Sequence, residues 1–182
     1  MRVIGLAIKY AISKFAKRYD YNVDYLHAME ASAPGSLWRY ALTAPLAQRR
    51  TTVPPQAYFA AKLIAARQQD CGPCVQLVIN MAREAGVNEQ TLLDVLAEDD
   101  GLLSEDALLA VQFSRGVLAG VADPDVAAAV TRRWGQGALV DLSLAVAFGG
   151  FYPVLKRGLG YAQSCSLAPH TGLGRTKFGV TG

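Results

Sequence analysis

The regular succession of helical stretches and helix-capping residues constrains the fold of this chain more than any other feature of its sequence. Apolar residues recur at helical spacing, and Asn88, Ser104 and the pair Asp123-Pro124 each stand just before such a stretch, where caps are favoured. Apolar and polar residues never alternate for long enough to indicate a strand. The sequence therefore predicts an all-α protein.

The predicted helices also suggest how the chain is organised. Helices are expected over residues 4–19, 23–31, 37–48, 56–69, 70–86, 88–97, 104–120 and 123–134, with a last apolar helix starting at 137. A length of 182 residues and a hydrophobic content of 52% suit one domain with a substantial core. We expect N-terminal helices over 1–50, a core over 54–165 and a Gly-, Ser- and Thr-rich tail over 166–182.

Charge is nearly balanced, with 18 basic and 15 acidic residues and no long basic run, so nucleic acid is not the expected partner.

The first predicted helix is amphipathic and should dock on the core. Its apolar stripe holds Ile4, Ile8, Ala11, Ile12, Phe15 and Tyr19, with Lys9, Ser13, Lys14, Lys17 and Arg18 opposite.

The last predicted helix is almost long and apolar enough to cross a membrane. Asp141, a glycine pair at 149–150 and Pro153 count against a span, so a buried core or subunit-interface helix is expected. Lys9 and Lys14 interrupt the N-terminal apolar stretch, which therefore does not fit a signal peptide. We expect a cytoplasmic protein without a membrane span.

The tetrapeptide Cys71-Gly72-Pro73-Cys74 is the strongest chemical signal in the sequence. At the start of a helix, both cysteines lie on the core-facing stripe, one turn apart and close enough to form a disulfide. The unpaired N–H groups of a first helical turn stabilise a thiolate, which is the reactive form of cysteine. One thiol could attack a peroxide or a disulfide, and the other could resolve the product.

Other interpretations of this cysteine pair stay open. A structural zinc site would need two more ligands, and only Cys165, His27 and His170 are available, none at a knuckle-like spacing. The pair could also be inert and buried, because free cysteine is often found in protein cores. A thioredoxin fold is rejected, because residues 56–69 before the motif are predicted as helix rather than strand.

The stretch from about residue 54 to residue 101 resembles the AhpD-like superfamily, which includes alkylhydroperoxidase D and the carboxymuconolactone decarboxylases. The segment that carries the resemblance is 58–87, YFAAKLIAARQQDCGPCVQLVINMAREAGV. The resemblance implies an AhpD-like helical bundle that forms homo-oligomers and reduces peroxides with the Cys71–Cys74 dithiol. Members of the superfamily place a glutamate upstream of the dithiol and a histidine after it, and these two residues together relay a proton. Here those positions fall at or near Phe59 and at Val78. Asp70 and Lys62 are the candidate replacements.

Three functions compete. The first is a thiol-dependent oxidoreductase, of peroxidase or disulfide-reductase type, in which Cys71 and Cys74 alternate between dithiol and disulfide. Since no metal, flavin or nicotinamide motif is visible, no cofactor is expected, and electrons would come from an external dithiol. The second is a carboxymuconolactone decarboxylase-like enzyme, which would not need the cysteines. The third is a non-catalytic helical oligomer with a structural or regulatory dithiol.

Overall fold

A computed structural model describes residues 2–121 and 123–161, with side chains from residue 5 onward. No strand occurs in these residues, so the prediction of an all-α protein is confirmed. The helices are α1 (Arg2–Tyr19), α2 (Asp24–Ser32), α3 (Ser36–Ala41), α4 (Ala44–Ala47), α5 (Pro55–Gln68), α6 (Gly72–Glu84), α7 (Glu89–Ala97), α8 (Glu105–Leu118), α9 (Pro124–Trp134) and α10 (Gly137–Gly158), with a short 3-10 turn at Asp100–Leu102.

Three helix starts are set by the capping residues that the sequence indicates. The Asn88 side chain accepts from the N–H of Gln90 at 2.8 Å, and the Ser104 hydroxyl accepts from the N–H of Ala107 at 3.3 Å. The Asp123 carboxylate caps α9 in the same way. Each of these bonds satisfies a backbone donor that has no partner within the helix.

The segment predicted as one helix over 37–48 is two helices, α3 and α4, and the prediction is wrong at this point. Pro45 lies in the first turn of α4. Because proline has no N–H, it cannot donate to the carbonyl of Ala41, where α3 ends. The missing bond ends one helix and allows the next to begin.

Helix α5 is the centre of the main hydrophobic core. Every residue over 57–66 is buried, and α5 contacts α6, α7, α8 and α10. The contact with α10 is especially close, because a Cβ added at Gly149 would lie 2.7 Å from both the Ala65 Cβ and the Lys62 carbonyl oxygen. A side chain at this position would therefore force the two helices apart.

A second hydrophobic cluster joins the N-terminal helices to α6 and α10. Its buried members are Tyr21, Val23, Tyr25, Leu26 and Leu37, and Ile8, Ile12, Phe15, Tyr19, Leu77 and Leu155 pack against them. The predicted stripe of α1 thus docks as expected, except that Ala11 is exposed. The side chain of Ile4 lies outside the described part. At the edge of this contact, Arg18 and Tyr19 both bind Glu84 on α6.

Helix α10 is the one described helix whose length and composition would fit a membrane span, and buried core helices have the same properties. In this fold its residues Ala138, Leu142, Ala145 and Val146 are buried in the main core. Asp141 is fully buried as well.

Candidate functional site

The two cysteines of the tetrapeptide form a disulfide at the start of α6. Cys71 directly precedes the helix, and Pro73 occupies its first turn, where the absence of an N–H costs nothing. The Cα atoms of Cys71 and Cys74 are 5.2 Å apart, a usual separation for a disulfide. The start of α6 thus holds the two sulfurs together, as the spacing predicts.

The face of α6 that carries the cysteines is buried. Cys71 is 2% exposed and Cys74 is 4% exposed. The other residues of the predicted stripe, Val75, Val78, Ile79 and Ala82, are buried too, which confirms the predicted orientation of the helix. A large molecule therefore cannot touch either sulfur without moving the surrounding helices.

A small, largely enclosed cavity of about 70 Å³ lies beside Cys74. Helices α5, α6 and α10 contribute to its wall, and so does the N-terminal segment, with residues between Phe15 and Gln48. The polar side chains of the wall are those of Tyr21, Tyr25, Tyr40, Gln48, Lys62 and Tyr152. Cys71 does not line this cavity, so the two sulfurs have different surroundings.

Lys62 brings a cation to the wall of the cavity. Its ammonium donates to the carbonyl of Ala47 at 2.7 Å, and the Tyr58 hydroxyl donates to the same oxygen at 2.8 Å. The side chain is only 4% exposed. Burial disfavours the charged form and lowers the pKa of Lys62 to about 8. The amine is therefore mostly protonated at neutral pH but gives up its proton more readily than an exposed lysine.

Tyrosine hydroxyls form another polar part of the cavity wall. The Tyr21 hydroxyl is 3.8 Å from the sulfur of Cys74, and the hydroxyls of Tyr25 and Tyr40 are 3.1 Å apart. Burial raises the pKa of Tyr25 and of Tyr40, so both are neutral at physiological pH and can donate hydrogen bonds. The buried ammonium of Lys156 lies 4.8 Å from the centre of the Tyr21 ring, within cation–π range.

Of the residues considered for the proton relay, two reach the cavity and two do not. Lys62 and Val78 both line it, as Cys74 does. Phe59 is buried against the ring of Tyr58 and does not line the cavity. Asp70 is exposed, with a left-handed φ of 50°, and Cys71 rather than Asp70 takes the capping position of α6. Asp70 is thus a surface charge.

The remaining candidates do not join the site. His27 is an exposed residue of α2. Cys165 and His170 lie outside the described residues. Within residues 2–121 and 123–161, no group of three or more His, Cys, Asp or Glu side chains could hold a metal ion.

Sequence reasoning missed the tyrosines of the cavity wall. The run Tyr19-Asp20-Tyr21-Asn22-Val23-Asp24-Tyr25 is an unusual concentration of aromatic hydroxyls, and it was the available signal. Nothing local connects this run to a cysteine that lies 53 positions away from Tyr21.

No known family model, curated protein or solved structure matches the chain.

Proposed function

We propose that this protein is a thiol-dependent peroxidase in which Cys74 attacks the peroxide and Cys71 resolves the product. The observation that carries the proposal is the cavity, because a buried cation and several hydroxyl donors share its wall with Cys74. A small oxidant could meet the sulfur there, shielded from bulk water. Cys71, one turn away and outside the cavity wall, suits the resolving role.

The reaction needs no bound cofactor. The Cys74 thiolate attacks one peroxide oxygen, the O–O bond breaks, and the departing oxygen takes a proton to leave as water or an alcohol. Cys74 is then a sulfenic acid. The Cys71 thiol attacks its sulfur, the disulfide forms, and the second oxygen leaves as water. An external dithiol then restores both thiols by exchange and becomes a disulfide itself. Because both sulfurs are buried, this step needs a movement of the surrounding helices that the peroxide step does not.

Lys62 supplies what the missing glutamate and histidine would provide. A buried ammonium favours the thiolate of Cys74 by charge, and its pKa of about 8 lies close enough to neutrality for proton donation to the departing oxygen. An ammonium has three N–H donors, and the bond to Ala47 uses one of them.

Burial of the cysteines favours a small peroxide over a protein disulfide as the oxidant. A protein disulfide would have to contact Cys74, which is 4% exposed beneath the N-terminal segment. A peroxide needs only to enter the cavity. We propose that the oxidoreductase is of the peroxidase rather than the disulfide-reductase type, and that it acts in the cytoplasm with an external dithiol donor.

The test is single-turnover oxidation of the reduced protein by hydrogen peroxide. We expect the wild type to lose two thiols per turnover, Cys71→Ser to stop at a sulfenic acid on Cys74, and Cys74→Ser to react no faster than free cysteine. Quenching the reaction into denaturant that contains a dimedone-type reagent, so that the reagent reaches the buried sulfur, and mapping the label by mass spectrometry identifies the attacking residue. Preferential labelling of Cys71 would contradict the assignment.

A structural disulfide in a non-catalytic helical oligomer is the second candidate, favoured by the same burial of both sulfurs. An apolar surface groove lined by Val117, Phe151 and Val154 supports the oligomer. If both cysteine variants change only the melting temperature or the mass in solution, and reduced wild type reacts with peroxide no faster than free cysteine, this candidate replaces the peroxidase.

A further inference from the structure

The volume of the cavity beside Cys74 limits what can occupy it. A buried water needs roughly 10–15 Å³ of such space, and an apolar cavity of about 150 Å³ is enough to bind benzene. The cavity here measures about 70 Å³, roughly half of the latter. It therefore has room for a few water-sized groups but not for an aromatic ring.

The chemistry of the wall alone would not exclude organic groups. Apolar side chains make up much of it, among them Phe15, Leu77, Met81 and Phe148. A small alkyl group would be compatible with these neighbours. Size is thus the discriminating property, and the hydroxyls of Tyr21, Tyr25 and Tyr40 add donors and acceptors suited to a molecule with an O–H at each end.

Resting on the peroxidase function proposed above, we infer that this cavity selects hydrogen peroxide and excludes bulky organic hydroperoxides, with Phe148 helping to set the limit. Phe148 lies on α10, lines the cavity and is half-buried, so its ring is part of a wall that is also in contact with solvent. It contacts Tyr152, another residue of the wall, with ring centres 6.1 Å apart. Removing the ring would enlarge the space next to Cys74.

The experiment compares hydrogen peroxide with cumene hydroperoxide in single-turnover oxidation of the reduced full-length chain. Each rate constant is divided by the rate constant of free cysteine with the same peroxide. This division removes the intrinsic difference in reactivity between the two peroxides. We expect hydrogen peroxide to be favoured at least about 100-fold, equivalent to about 2.7 kcal/mol of activation free energy.

Two phenylalanine variants on the same helix test the role of the wall. Phe148→Ala is expected to shift the rate ratio about tenfold toward cumene hydroperoxide, or about 1.4 kcal/mol. Phe151→Ala is the matched control, because Phe151 contacts Phe148 but does not line the cavity. It should leave the ratio unchanged.

The outcomes separate this inference from the proposed function. If wild-type Cys74 outpaces free cysteine with both peroxides and shows no preference, the size selection is wrong while the peroxidase function stands. If neither peroxide reacts faster than with free cysteine, the peroxidase function itself fails. Should Phe148→Ala not fold, the wild-type rate ratio still decides the size selection.

Discussion

Lys62 shows how burial converts an ordinary side chain into a reactive one. At an exposed site its ammonium would keep its proton far above neutral pH, whereas burial in α5 lowers its pKa from 10.5 to about 8. The group stays charged at neutral pH, with one donor held by Ala47. Because it lines the cavity with Cys74, it is the residue that can connect thiolate stability to proton supply.

Replacing Lys62 with methionine should lower the rate of peroxide reduction at neutral pH about tenfold, since the thiol pKa rises by about one unit without the cation. In the wild type the rate should decline as the ammonium loses its proton, at a pH above the value of about 8 that holds in the disulfide form, because a neighbouring thiolate raises the pKa of Lys62. Stopped-flow rates across pH, with thiolate absorbance as a second readout, check both effects.

Tyr58→Phe is the matched control for this variant. It removes the other hydrogen bond to the Ala47 carbonyl and leaves the charge of Lys62 in place. The alkaline decline should persist in Tyr58→Phe and vanish in Lys62→Met. If the alkaline decline persisted in Lys62→Met, a group other than Lys62 would be responsible for it.

Among the helices, the contact of α5 with α10 holds the site together. Gly149 allows the α10 backbone to approach Ala65 and Lys62 closely, so the position of Lys62 depends on a residue without a side chain. The next glycine differs, because a Cβ at Gly150 would meet only Gln69, at 3.8 Å. Alanine at position 149 would therefore change both the packing and the helix propensity, whereas alanine at position 150 would change the helix propensity alone.

Gly149→Ala should destabilise the protein by about 2 kcal/mol, because the added methyl overpacks the helix contact. Gly150→Ala should be neutral or stabilise it by up to about 1 kcal/mol, because alanine favours helix and meets no obstacle. Urea unfolding monitored by circular dichroism measures both. Equal changes in the unfolding free energy for the two substitutions would show that the close contact of Gly149 with α5 does not limit the packing of the two helices.

Across the whole molecule, Asp141 ties the loop before α5 to α10. Its carboxylate accepts from the N–H groups of Thr51 at 2.8 Å and Thr52 at 2.7 Å, and Arg49 lies 3.3 Å away. Burial alone would raise the pKa of Asp141, but these hydrogen bonds outweigh it and hold the pKa below its usual value. The buried charge is thus satisfied by a loop 90 positions away in sequence.

Because the folded state lowers the pKa of Asp141, its contribution to stability is complete above the unfolded-state value near 3.8 and is lost as the pH falls through the lower folded-state value. Asp141→Asn should cost about 3 kcal/mol at neutral pH and weaken this acid dependence. Unfolding free energies measured from neutral to acidic pH check both parts.

Asp106→Asn provides the comparison for Asp141→Asn. It removes a partly exposed ion pair with Arg133, 2.8 Å long, and should cost less than about 1 kcal/mol. A similar cost for both variants would mean that Asp141 does not act as a buried anchor.

Most helix bounds and the orientation of the dithiol could be predicted from local sequence. Caps at Asn88, Ser104 and Asp123 act within three residues, so they can be recognised locally. The burial of Cys71 and Cys74 follows from helical periodicity for the same reason. The break between α3 and α4 was also encoded locally, at Pro45, but the apolar pattern across it concealed the interruption.

The surroundings of Cys74, in contrast, depend on helix packing and could not be predicted from local sequence. Tyr21, Lys62 and Tyr152 come from three separate parts of the chain and meet because α5 packs against α10 and the N-terminal cluster covers α6. The same packing gives Asp141 its partners and excludes Asp70 from the site. Periodicity reveals which face of a helix is buried, but the neighbours of that face, and the size of the space between them, depend on how the helices pack.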